Sequence, residues 1–435
     1  MSADERRATA PLAVLFLVNA LNIFDRQALG ALLEPLRHEF GLSDAQLGAL
    51  PTVFTIVYAL AGLPLARWAD RGSRRGLLAA GVAVWTGLTA LGGLAVSYTM
   101  LLATRVGVGI GEAVCAPVAT SWIGDLVAPQ RRARAMAGFM MAVPVGVMLS
   151  FAVTGPAAQA YGWRVALAIG ALPAVLLIPA LLRIEEPPRD RSHHRDPEGT
   201  GELRRKPEIQ PAELPPWTGL LRIPAFPWIL ASGVVVNFIL YSFSTFIAAF
   251  LTRFQGLTVA RAGVWAGVGS GASGILGALA AAALGDRTIG RGRLLLAAGA
   301  ALLAAPPVWA ALQVPKGNAA PAVVLAMTGY GLLQMYYGLV YAAIQDFVAP
   351  RLRATAMAVY FVAVYLCGAS FGPLLTGRAS DHFARVAAGA GPVTDAAKAY
   401  GLHQAMYGIP ILCVVLAAVL AMGGRAGTNS PIPSE

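Results

Sequence analysis

Apolar runs of about 20 residues, the length an α-helix needs to cross the hydrocarbon core of a bilayer, recur along the entire chain and limit the fold more than any other feature. The expected spans are 12–33, 45–66, 77–97, 99–121, 134–156, 163–183, 226–250, 262–284, 293–312, 321–344, 354–376 and 402–423. They are continuous rather than alternating, which argues against a β-barrel. Gly and Pro are frequent inside them; membrane helices tolerate this because neighbouring helices accommodate the freed backbone groups. Of the 435 residues, 57% are hydrophobic and 13% charged, which exceeds what a soluble core requires. The chain reads as an all-α polytopic membrane protein whose first partner is the lipid bilayer.

The net charge of +11 does not point to nucleic acid, because the basic residues are unevenly placed along the chain. With the N-terminus inside, one side of the membrane holds 23 Lys and Arg and the other 8. This bias places both termini in the cytoplasm. The N-terminal "MSADERRATAP" is not read as part of a signal peptide, since the apolar run behind it is too long and carries Asp25 and Arg26. The three cysteines fall within apolar spans, so no disulfide framework is expected, and no metal site either.

Between Arg183 and Arg222 the chain turns Pro-rich and charged, as a solvated linker would. It divides the sequence into a six-helix bundle over 1–183, a cytoplasmic linker over 184–222 and a second six-helix bundle over 223–435. The halves repeat each other. "IGDLVAPQRRARAMA" from Ile123 aligns without gaps to "IQDFVAPRLRATAMA" from Ile344, pairing Asp125 with Asp346 and Arg132 with Arg353. "ARWADRGSRRG" from Ala66 corresponds to "AAALGDRTIGRGR" from Ala281. Both matches fall on the same side of the membrane, so the repeat is parallel, and two bundles related by an axis along the membrane normal would enclose a cavity near mid-membrane.

Four charges lie within spans of the first half: Asp25 and Arg26 in the first, Arg105 and Glu112 in the fourth. Arg105 precedes Glu112 by about two turns, so both project from one helix face. A lone charge at that depth costs several kcal/mol, a cost that falls when opposite charges pair around a watered cavity. These four are therefore expected to face one another. Because a buried ion pair is a poor stabiliser, a functional role is favoured: Glu112, with Asp25, exchanging a proton while Arg26 and Arg105 hold the carboxylates ionised. Asn19 and Asn22 are expected to line the same cavity. The second half offers polar and aromatic residues instead, notably Asn237 and Tyr241, Gln334, Tyr337 and Tyr341, and Tyr360. A charged wall opposite an aromatic one suits an amphipathic molecule with an anionic or zwitterionic head.

The sequence resembles the major facilitator superfamily. "ARWADRGSRR" is similar to its signature between the second and third helices, with Ala66 and Ser73 where the family has Gly, and "RVGVGIGEA" from Arg105 resembles the fourth-helix signature of proton-coupled members, with Val108 where they carry Gln. The nearest likeness is to the Spinster group, through "NIFDRQALGALLEPLRHEFGLSDAQLG" and "MAVPVGVMLS". The resemblance implies a multi-pass transporter of the cell (inner) membrane, with no cofactor beyond a coupling proton and with cargo akin to the sphingolipids or lysophospholipids of animal members. It also implies a charge clasp that closes the cytoplasmic side by joining the halves, built here from Asp70, Arg71, Arg74, Arg75, Asp125 and Arg132 with Asp286, Arg287, Asp346 and Arg353. A drug/proton antiporter of the same superfamily is the alternative. A monomer is expected. No H-E-x-x-H, G-x-S-x-G or nucleotide-binding loop is present, so the chain is not read as an enzyme. "GSGASG" at 269–274 lies within an apolar helix and is read as a helix-packing surface.

Overall fold

The computed structural model describes residues 3–127, 131–186, 219–349 and 352–427. Twelve helices are long and apolar enough to cross a membrane, and the described residues form no strand. They are α1 (Thr9–Phe40), α2 (Asp44–Ala69), α3 (Arg74–Gly92), α4 (Tyr98–Leu126), α5 (Arg134–Tyr161), α6 (Trp163–Arg183), α7 (Phe226–Arg253), α8 (Val259–Gly285), α9 (Arg291–Gln313), α10 (Ala319–Phe347), α11 (Thr355–Ala388) and α12 (Asp395–Ala426). Twelve crossings place the two ends of the described chain, and residues 186 and 219, at one face, called here the terminal face; the other is the far face.

Helix starts follow from local chemistry. Ser43, Ser73, Ser97, Thr258 and Thr394 each accept a backbone N–H from the first turn of α2, α3, α4, α8 and α12. At α2 the Gln46 side chain reciprocates, completing a capping box. Only Gly162 separates α5 from α6, and its φ of 83° is one that other residues rarely adopt.

Several helices differ in length from their apolar runs. α1 continues to Phe40, α11 to Ala388, and α12 begins at Asp395, because a helix satisfies its own backbone and need not stop where hydropathy does. α3 instead ends early, at Gly92, where Gly93 begins a turn.

α3 packs on α4 and α6 at the edge of the first half, as α9 packs on α10 and α12 in the second. The halves meet chiefly where α5 crosses α8 and α2 crosses α11. Glycine permits both crossings. A methyl group on Gly155 would come within 2.9 Å of the Val259 carbonyl oxygen, and one on Gly48 would strike the Pro373 carbonyl. "GSGASG" belongs to the first contact: Gly271 lies against Pro144 and Met148 of α5. The packing surface read from sequence is the one found.

Among the described residues, one apolar cluster spans the two halves and a second stays within the first half. Leu29, Leu33, Leu47, Phe151 and Ala158 share one buried cluster with Phe243, Phe246 and Phe250. Toward the terminal face, Leu15, Phe54, Leu78, Trp85, Trp122 and Leu181 form a cluster confined to the first half.

Candidate functional site: a charged centre between the halves

Asp25 and Arg26 are neighbours on α1 but turn to different partners. Arg26 reaches Glu112, its Nε and Nη2 each donating to Oε2 at 3.3 Å. It also donates from Nη2 to Asn22 Oδ1 at 3.2 Å, and its guanidinium lies over the rings of Tyr58 (4.4 Å) and Phe54 (5.3 Å) of α2. Asp25 turns to α3 and α4. It accepts from the Thr89 hydroxyl at 2.8 Å, Arg105 donates to that hydroxyl at 3.5 Å, and Arg105 Nη1 stands 3.9 Å from Asp25 Oδ2. Gly92 leaves room for this arginine: a methyl group there would come within 3.1 Å of Arg105 Nη2.

The four charges of α1 and α4 thus meet, as two linked pairs. Asp25, Arg105 and Glu112 are buried, and Arg26 is 9% exposed. Glu112 has no exposure at all, and its Oε1 accepts no hydrogen bond from the described residues. Glu112 stands just before an irregularity that Pro117 causes. That ring cannot donate to the Ala113 carbonyl and crowds it, so α4 loosens at 113–114, immediately beyond Glu112.

The second half supplies rings. Tyr365 lies 5.8 Å from Tyr58 across the interface and 6.5 Å from Tyr241. Tyr341 packs against Tyr337, Tyr360 and Phe361, each about 5.7 Å away. Tyr365 sits in a π-helical stretch, Val364–Ala369, where the Ser370 N–H and hydroxyl both return to the Tyr365 carbonyl. Such stretches re-aim side chains within a helix.

Some candidates have other duties. Asn19 donates to the Phe139 carbonyl and ties α1 to α5 rather than facing an open space. Asn22 orients Arg26. Asn237 accepts from the Tyr337 hydroxyl at 3.1 Å. Tyr360 is fully buried and donates to Tyr336, so it supports the ring wall from behind. Gln334 stands near Gly274 and Pro144, at the crossing of α5, α8 and α10. Phe54, Tyr58 and Thr89 were not singled out from sequence. A ring or hydroxyl in an apolar run carries no signal until its neighbours are known. A cleft of about 300 Å³ between α3 and α6, lined by Ala83, Thr86, Ala90 and Leu172, is apolar and holds none of the four charges.

At the terminal face the expected clasp takes a different form: among the described residues, the ion pairs its charges make do not cross between the halves. Arg74 binds Asp125 at 2.5 Å and Glu186 at 3.1 Å. Arg293 binds Asp346 at 2.9 Å. The repeat extends to detail: Arg132 donates to the Val127 carbonyl and Arg353 to the Val348 carbonyl, five residues back in each case. Arg75 donates to the Leu182 carbonyl, and Asp286 and Arg287 occupy the turn after α8. The side chains of Asp70 and Arg71 lie outside the described residues, as does most of the linker. The physical reason is that the halves are joined at the far face instead. There Arg253 of α7 binds Glu34 and Asp44, Arg37 binds Asp395, and Asp381 accepts from the N-terminus of α2.

Glu186 was not foreseen, being one acid among many in the linker region. It accepts from Arg74 Nε, from the Ser73 hydroxyl and from the backbone N–H groups of Arg74 and Arg75, so it caps α3. Partial burial works against its charge, yet these donors outweigh burial and hold its carboxyl below the usual range.

Two six-helix groups joined at α2–α11 and α5–α8 around a charged centre define a membrane transporter. The model of the Major Facilitator Superfamily matches residues 15–373, and the chain belongs to that family. A protein named MFS-type efflux pump from Mycolicibacterium smegmatis is 34% identical over 86% of this chain and 85% of its own length. Protein spinster homolog 1 of Bos taurus is 28% identical over 86% of this chain and 73% of its own. The crystal structure of a bacterial homologue of the human lysosomal transporter Spinster, in its inward-facing and unoccupied conformation, superposes with a TM-score of 0.81 at 28% identity, covering 99% of this chain and all of that one. Within the superfamily, this is a transporter of the Spinster type.

Proposed function

We propose that the protein is a proton-coupled secondary transporter that works by alternating access and moves a small amphipathic molecule with an anionic or zwitterionic head. It sits in the cell membrane with the terminal face in the cytoplasm, the side to which the basic residues are biased. The far face is then outward, and the arrangement described is closed outward.

The observation that carries this reading is the Arg26–Glu112 pair beside the ring wall. Arg26 reaches toward the second half: it lies over Tyr58, which itself packs on Tyr365. An anionic head would compete with Glu112 for this guanidinium. Protonation of Glu112 would remove that competitor and free Arg26 for the head, while a deprotonated Glu112 would reclaim Arg26 and expel it. Asp25 and Arg105, joined through the Thr89 hydroxyl, form the second pair, which fixes α1 against α3 and α4 and keeps Arg26 aimed at the interface. The rings of Tyr337, Tyr341 and Tyr365 offer an apolar surface for the tail.

The likeness to a mycobacterial efflux pump favours a second reading, export of a drug-like molecule by the same proton exchange. Mass spectrometry of small molecules that copurify with the protein, followed by flux of the hits and of cationic drugs in proteoliposomes, separates the two. Lysolipid-like hits that move only with a proton gradient support the first reading. Transport of cationic drugs alone overturns it.

A further inference from the structure

We infer that the cleft between α3 and α6 holds one phospholipid from the leaflet at the far face, with an acyl chain in the cleft and a zwitterionic head bound by Arg164 and Glu39 at its mouth. This site is separate from the charged centre and does not depend on proton coupling.

The cleft lies at the edge of the first half, where Leu172 and Val175 on its rim are 61% and 47% exposed. Its α6 wall is one helical stripe of Ala168, Ala171, Val175 and Ile178, and Arg164 continues that stripe one turn nearer the far face. From Ala168 to Ile178 the stripe runs about 15 Å at 1.5 Å per residue, half of a hydrocarbon core of about 30 Å and so the depth of one leaflet. The α3 wall is low, because Ala83 and Gly87 have little or no side chain. Thr86 stands between them, 3% exposed, and its hydroxyl has no hydrogen-bond partner among the described residues. A hydroxyl buried in this way marks space that a molecule from outside the chain completes. Toward the far face the two helices close together: a methyl group on Gly93 would come within 3.1 Å of the Arg164 carbonyl oxygen.

At that mouth stands a pair of opposite charges. Arg164 Nη2 binds Glu39 Oε1 at 2.5 Å and donates to the Ala95 carbonyl at 3.0 Å, while the guanidinium lies 4.3 Å from the Trp163 ring centre. The Trp163 indole N–H donates to the other oxygen of Glu39. The side chains of Arg164 and Glu39 are 42% and 36% exposed, so both can meet a ligand. A guanidinium has five donors and each carboxylate oxygen two lone pairs; the pair can therefore take a phosphate on Arg164 and an ammonium on Glu39 without giving up its own bonds. A head with a phosphate and no ammonium would set its charge beside Glu39 uncompensated. Trp163 occupies the level at which tryptophan meets lipid head groups. The repeat does not require such a cleft, since α9 and α12 of the second half bring Ala301 and Ala304 into one buried cluster with Cys413 and Leu416. A chain in the cleft also backs onto the charged centre, because Thr89, one turn beyond Thr86, holds Asp25.

Photocrosslinking of the full chain in nanodiscs tests the site. The probes are phosphatidylethanolamine and phosphatidylglycerol, each with a diazirine on an acyl chain, and the labelled residues are read by mass spectrometry. Phosphatidylethanolamine is expected to label residues 83–90 and 168–178 above the rest of the perimeter. Gly87→Leu fills the cleft without a clash, since a Cβ there meets no atom within 4 Å. It is expected to cut this labelling by on the order of tenfold, as exclusion of two or more chain methylenes would. Ala168→Phe, at an exposed position of the opposite wall, carries the test should Gly87→Leu not insert. Glu39→Gln keeps an acceptor for Trp163 and removes the charge; it is expected to lower labelling by phosphatidylethanolamine about two- to fivefold and not that by phosphatidylglycerol. Labelling that is even around the perimeter, or that survives filling of the cleft, overturns the site. Equal labelling by the two probes, or labelling by phosphatidylethanolamine unchanged in Glu39→Gln, overturns the assignment of its head group.

Discussion

Arg26 acts through its shape as well as its charge. It binds Glu112 through two nitrogens while its guanidinium lies over the Tyr58 ring, which an ammonium on a flexible stem cannot reproduce. Arg26→Lys is thus expected to fold yet lose transport by at least about tenfold, and retention of wild-type flux in proteoliposomes would count against the substrate role. Glu186 makes a structural prediction. Its carboxyl is held below the usual range, so what it adds to stability is present at neutral pH and is lost as pH falls through that lowered value. Glu186→Gln should cost about 1 kcal/mol, as removal of a helix cap does, seen as a lower midpoint of thermal unfolding near pH 7. The difference from wild type should vanish in strong acid. That the charges of α1 and α4 would meet was legible from membrane depth alone, because a charge there has few affordable partners. Their division into two pairs was not, since it depends on Thr89 and on the kink at Pro117, whose effects appear only once α3 and α4 are packed.

At the scale of elements, the helices were legible where hydropathy governs them and less so at their ends. The run ending α1 continues past Leu33 as a helix bearing Glu34 and Arg37, because the second half supplies their partners. Sequence cannot display that partnership, as charges at the ends of spans are expected for topology in any case. The glycines of α5 and α8 make the sharper prediction at this scale. Gly155 and Gly263 are in van der Waals contact backbone to backbone, so a bulky side chain at either position cannot be housed while the outward side is closed. Gly263→Leu should stabilise the outward-open arrangement and raise the reactivity of a cysteine placed at Gln159 toward a membrane-impermeant thiol reagent. Unchanged reactivity would show that this crossing opens by another route.

For the whole molecule, the repeat announced two similar halves, and the matching bonds Arg132 to Val127 and Arg353 to Val348 show how far that similarity reaches. What the repeat could not announce is the conformational state. Arg74 with Asp125 and Arg293 with Asp346 pair within their halves, and in the proposed alternating-access cycle the same residues would pair between halves when the terminal face closes. The division of the core follows: one apolar cluster spans the halves and a second stays within the first half. In the proposed cycle a proton on Glu112 decides which arrangement a loaded centre favours. The most direct test is flux of a fluorescent lysophospholipid into proteoliposomes with and without an imposed pH gradient, for wild type and Glu112→Gln. Gradient-driven accumulation in the wild type and gradient-insensitive equilibration in the variant is the predicted result, and equal gradient dependence in both would contradict it.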